Sequence, residues 1–280
     1  MNGLLALTCL GLPVLGTDTL NASFRQVHPP PSAPAAVARS PGQARAIVLI
    51  HGFRIEFNNA AAALGDLHAW QTAGSVAVKT FAQEGDVFAF AYAQDNTLEE
   101  IANGVLLKPK IAQLRGLGYA DIVLIGHSAG GVVARHFVED HPDAGVTKVI
   151  QVCAPNAGSP WAALKAAVCI RQQAFVASLS EDARRQSLRM RAKKTVPSGV
   201  EFVCVVGTGR VRGDGILSCG SQWSADLREQ HIPAYRLHTH HCGIMNHVES
   251  LEAIRQLIRA PQRRWTDAQI RLAACQILAE

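Results

Sequence analysis

The chain lacks any apolar run long enough to cross a bilayer. Its opening stretch, MNGLLALTCLGLPVLG, falls short of the roughly 20 residues a membrane helix needs. No lysine or arginine precedes Arg25, so the positive start of a secretory signal is missing, although Val14 and Gly16 stand where small residues precede cleavage. Export and retention both stay open, with the cytoplasm slightly favoured. No C-x-x-C occurs among the 7 cysteines, whose scatter argues against a disulfide framework. Cys153 and Cys204 sit inside the apolar runs VIQVCAP and EFVCVVG, the setting of small buried hydrophobes. No G-x-G-x-x-G opens a helix after a strand and no P-loop is present, which removes the usual nucleotide signatures. Charge of one sign is not in large excess. The formal +5 falls short of a nucleic-acid footprint and leaves at most weak association with anionic lipid surfaces. There is no internal repeat.

What is present suits one sizeable domain: 280 residues, 48% hydrophobic and 18% charged, enough to bury a core without staples. Residues 22–44, rich in Pro, Ala and Ser, read as a flexible linker, so the domain is expected to span 45–280 and residues 1–44 to be leader and linker. Short apolar runs then alternate with helical patterns. The runs are 46–50, 87–92, 122–125, 146–152, 202–206 and 234–237; the helices are expected near 58–72, 98–117, 129–139, 161–177, 224–230, 248–259 and 266–278. That alternation predicts an α/β fold, a mainly parallel sheet with helices on both faces. Asn246 with Glu249 reads as the cap of the helix at 248. Segment 159–200 is too long for a simple connection and reads as a helical insertion or lid. It carries a basic run at Arg184, Arg185, Arg189, Arg191, Lys193 and Lys194, whose plainer reading is a solvated face.

The sharpest motif is Gly126-His127-Ser128-Ala129-Gly130-Gly131, set directly between the run IVLI and a helical pattern. A serine at such a bend is lifted above the sheet edge, and the helix start beneath it supplies donors for a developing oxyanion. His51-Gly52-Phe53 follows the run AIVLI. The turn at Gly52 frees the amide of Phe53 to join that of Ala129 as an oxyanion hole, while His51 supports the turn. A serine needs a base, and the base needs a carboxylate to orient it. Asp214 lies between two glycines after the run FVCVV, with Asp182 and Asp226 as weaker rivals on helical stretches. For the base, His238, His240, His241 and His247 crowd the region after the last run; His241 sits in the loop and His247 at the head of a helix. His-Thr-His-His lacks a standard zinc spacing with a fourth ligand, so no metal is expected.

IVLIHGF, IVLIGHSAGGVVAR and VIQVCAPNAGSP together resemble the α/β-hydrolase superfamily, in its bacterial lipase-like and esterase-like branch, over roughly 45–259. The turn Ala154-Pro155-Asn156-Ala157-Gly158-Ser159 matches that branch, whereas HGFRIE lacks the later glycine of its HG-x-x-G loop. The resemblance implies a Ser-acid-His order, an Asp in D-G-[IV]-[VL] that falls on Asp214, and a base in H-x-G-[IL]-[LM] that favours His241, with His247 the alternative. It further implies hydrolysis of a small-molecule or lipid carboxylic ester through an acyl-enzyme, without a cofactor. Acyl transfer, thioester hydrolysis or a non-catalytic binding role on the same fold stay open, as does the oligomeric state.

Overall fold

The computed structural model describes residues 21–30, 37–209 and 213–279; the signal-like leader, residues 1–16, lies outside them. Seven strands form one open sheet: β1 (Ala22–His28), β2 (Arg45–Ile50), β3 (Asp86–Tyr92), β4 (Asp121–His127), β5 (Lys148–Val152), β6 (Glu201–Gly207) and β7 (Ala234–Leu237). Their spatial order is β1-β3-β2-β4-β5-β6-β7. Every neighbouring pair is parallel except β1 with β3. The helices in the first half are α1 (Asn59–Ala62), α2 (Val76–Phe81), α3 (Leu98–Ala102), α4 (Lys108–Gly116) and α5 (Ala129–Asp140). Those in the second half are α6 (Gln173–Ser178), α7 (Glu181–Met190), α8 (Cys219–Gln222), α9 (Ala225–Glu229), α10 (Val248–Arg259) and α11 (Asp267–Ile277). Among the described residues no helix is long and apolar enough to cross a membrane.

The apolar runs became strands because both faces of the sheet are covered. Ile47 and Leu49 of β2 enter one core with Phe81 of α2 and Leu251 and Ile254 of α10. Their neighbours Ala46, Val48 and Ile50 enter the other with Ile101, Ile111 and Phe137 of α3, α4 and α5.

Four expectations are corrected. Residues 22–28 are not linker but the antiparallel edge strand β1, with Phe24 stacked on Phe88 at 5.6 Å. That strand also breaks the helix expected over 58–72. The Ser23 hydroxyl donates to the Gly65 carbonyl at 2.6 Å and the Asn21 amide to Ala63 at 3.0 Å, so the chain leaves α1 to meet the edge and resumes as a 3-10 turn at Ala69–Gln71. The helix expected over 98–117 is split into α3 and α4 at Gly104, whose φ of +86° no right-handed helix holds. Finally, the N-cap of α10 is His247, not Asn246, and no side-chain cap bond is made.

Segment 159–200 contains 3-10 turns at Pro160–Ala167 and Ile170–Gln172, then α6 and α7. Its basic run is not simply a solvated face. Arg184 is fully buried, donating to Glu99 at 2.7 Å and to His136 Nε2 at 3.2 Å. Arg191 bridges Glu139 and Asp140 of α5 at 2.8 and 3.0 Å, and Lys194 also pairs with Asp140. Burial pulls the Arg184 guanidinium down to about 10, against the opposing pull of Glu99.

Candidate active site

β4 ends at His127 and α5 begins at Ala129, so Ser128 must turn the chain alone. It does so with φ of +53°, a left-handed conformation costly for an L residue, and its amide donates to Val152 at 2.8 Å. The bend needs close backbone approach. A Cβ on Gly130 would meet the His51 carbonyl at 2.3 Å, and one on Gly52 would meet Ser128 Cβ at 2.4 Å. The β2 turn and the β4 turn are thus packed backbone to backbone, with Ala129 at the first position of α5, where helix amides lack internal partners.

His241 lies between Ser128 and Asp214. Its Nε2 is 3.0 Å from Ser128 Oγ and its Nδ1 is 2.7 Å from Asp214 Oδ2. All three side chains are buried, Asp214 to 2% and the other two to 8% exposure. Asp214 is fixed from its own loop. The amides of Ile216 and Leu217 donate to its Oδ1 at 2.9 and 2.8 Å, and its carbonyl accepts from the His241 amide at 3.1 Å. With Oδ1 occupied by amides, Oδ2 is left to hold Nδ1–H, which keeps the lone pair of Nε2 toward the hydroxyl. His247 is elsewhere: half exposed, its Nδ1 is 3.3 Å from Ser250 Oγ and from a Glu249 oxygen. His238 and His240 are exposed. Asp182 pairs with Arg185 and Asp226 with Arg135, so neither rival acid is the partner of His241.

Several residues at this site carried no sequence signal. Gln94 and Gln172 brace the loop after Gly52. Gln94 accepts from the Arg54 amide at 3.1 Å and donates to the Gly52 carbonyl at 2.8 Å. Gln172, from the inserted segment, accepts from the Glu56 amide at 2.8 Å and donates to the Arg54 carbonyl at 2.6 Å. Phe53 meanwhile packs on Phe175 of α6 at 6.0 Å. These contacts stand where a later loop glycine was missed. Gln222 grips Gly207 at the end of β6 through both its amide and its carbonyl, at 2.7 and 3.1 Å. His127 Nε2 donates to the His241 carbonyl at 3.0 Å.

Burial keeps the supporting imidazoles neutral. His51 donates from Nδ1 to the Gly52 carbonyl at 2.7 Å and accepts the Tyr92 amide on Nε2 at 3.1 Å. Protonation would break the second bond, and burial, aided by His68 beside it, lowers its pKa to about 3. Burial likewise takes His68 to about 4 and His127 well below the ordinary range, with His241 adding to the effect.

A cysteine thiol stands close by. The ligand atoms of Cys153, Asp214 and His241 lie within 4.8 Å of one another. Burial, then the charge of Asp214, pushes the Cys153 thiol well up, so it stays protonated and unreactive. Three donors, two of them already bonded to each other, also fall short of a closed tetrahedral zinc site.

No protein-family model and no curated sequence matches the chain. Solved structures do. The mature form of Bacillus licheniformis lipase BlEst2 superposes with a TM-score of 0.61 at 16% identity, covering 84% of this chain and 98% of that one. Its propeptide form gives 0.60 at 15% identity, covering 89% of this chain and 55% of that one. The metagenomic carboxyl esterase MGS0156 gives 0.54 at 15% identity, covering 82% and 80%. At such identities the likeness speaks for architecture. Sheet order, parallel core and strand-to-helix bend agree with it: the chain has the α/β-hydrolase fold.

Proposed function

We propose that the protein is a serine hydrolase acting on carboxylic esters. The observation that carries this reading is the unbroken line of contacts from Ser128 Oγ to His241 at 3.0 Å and on to Asp214 at 2.7 Å. In this mechanism Ser128 attacks the ester carbonyl while His241 Nε2 takes its proton. The amides of Phe53 and Ala129 receive the negative oxygen. His241 then returns the proton to the departing alcohol, leaving an acyl-serine. Water, deprotonated by the same imidazole, displaces the acyl group as a carboxylic acid. Asp214 holds the tautomer and balances the imidazolium charge. The lipase and carboxyl esterase names among the structural neighbours lend support to an ester or lipid substrate.

Replacing Ser128 with Ala is expected to abolish hydrolysis of p-nitrophenyl butyrate and labelling by a fluorophosphonate probe. Retained turnover in that variant overturns the reading. A series of acyl chain lengths, with and without a lipid interface, separates lipase from esterase: no gain beyond C4 argues against a lipase.

A further inference from the structure

Of the non-glycine residues described, only Ser128, Cys153 and His231 have positive φ. Ser128 and Cys153 close adjacent parallel strands, β4 and β5. The conformation of Ser128 is explained by the bend. That of Cys153, φ +51°, is one that glycine would hold without strain, yet a side chain is present and wholly buried. Strain kept at such a place points to a task for the side chain.

The surroundings say which task. The strained backbone aims the sulfur at the acid loop, within 4.8 Å of the Asp214 carboxylate and the His241 ring. Sulfur and carboxylate are near enough to interact there, while the Gly207 amide beside them donates elsewhere, to Gln222 Oε1 at 2.7 Å. Gly207 leaves room for both: a Cβ there would lie 2.9 Å from Cys153 Sγ and 2.9 Å from Asp214 Cβ. With two amides on Oδ1 and an imidazole on Oδ2, a thiol is the further donor that a buried carboxylate can still accept.

We propose that Cys153 is a positioning residue for the catalytic group: its S–H donates to Asp214 and holds that carboxylate against His241. This rests on the Ser128 reading above. By drawing off part of the negative charge, the thiol sets how strongly Asp214 attracts the imidazole proton. Loss of the donor therefore leaves His241 more basic. The other titratable groups facing this line are His127, its ring tilted against that of His241 at 5.0 Å, and Cys219, which adds to the field on Cys153.

The test is the pH profile of kcat/KM for p-nitrophenyl butyrate in the wild type and in Cys153→Ala, Cys153→Gly and Cys153→Ser. The alanine and glycine variants are expected to move the acid limb up by about half to one pH unit. Glycine relieves the backbone, so it separates a lost donor from a damaged fold. Serine, which still donates, is expected to recover at least half of the shift. An unmoved acid limb in the alanine and glycine variants overturns the proposal, as does a shift that serine shares in full. Fluorophosphonate labelling of the wild type, run alongside, reports separately on Ser128: absence of labelling removes the parent reading, whereas labelling with an unmoved limb removes only the role of Cys153.

Discussion

At position 247 an imidazole reaches Ser250 and Glu249 at the head of α10, while at 241 another is held between a hydroxyl and a carboxylate. The sequence could bring both near the sheet edge but could not choose by spacing alone, since loop and helix start each fit. Only the motif around Gly243 leaned toward His241. The difference is measurable. His241→Ala is expected to lower kcat/KM roughly a thousandfold or more, and His247→Ala to leave it within about twofold, as for a half-exposed side chain with weak partners. Equal losses in the two variants would contradict the assignment of the base. Ser128 and Asp214 were legible because their glycine neighbours leave a trace in the chain. The glutamines around them were not, because a buried Gln looks like any other until its partners are known.

Among the elements, the five inner parallel strands were readable since burial on both faces forces continuous apolar runs, while β7, at the edge with Tyr235 and Arg236 exposed, left only the short run 234–237. β1 was not readable, because the consecutive polar residues Arg25 and Gln26 interrupt its apolar residues and prolines follow it. The helices lost definition wherever tertiary contacts overruled local preference, as β1 does between α1 and the 3-10 turn after it. The inserted segment shows the same limit from another side: its length was visible, but not the bracing by Gln172. Replacing Gln172 with Leu strands the Glu56 amide and the Arg54 carbonyl, and lets the loop bearing Phe53 relax. The expected result is a fall in kcat of about tenfold or more with a loss of stability of about 1–3 kcal/mol. Steady-state kinetics beside calorimetry measures both, and an unchanged kcat would show that the loop is held by other means.

For the molecule as a whole, pH enters through imidazoles that fold neutral. His51 and His68, at about 3 and 4, and His127, well below its ordinary value, refuse protons that the unfolded chain accepts below about 6.5. The unfolded state therefore binds more protons, and the stability these groups give above pH 6.5 is lost as pH falls toward 3. Each such histidine costs about 1.4 kcal/mol per pH unit in that window, or a few degrees of Tm for a domain of this size. Calorimetry at pH 7 and pH 5 should thus show a clear drop in Tm; a flat response would contradict the burial of these rings. The ion pairs of Arg184 and Arg191 act on the same scale. They moor the far end of the inserted segment to α3 and α5, while Gln172 ties its near end to the loop beyond Gly52. A swing of the entire flap would strand a guanidinium in the interior, so the segment behaves as a strap made fast at both ends and not as a door on one hinge.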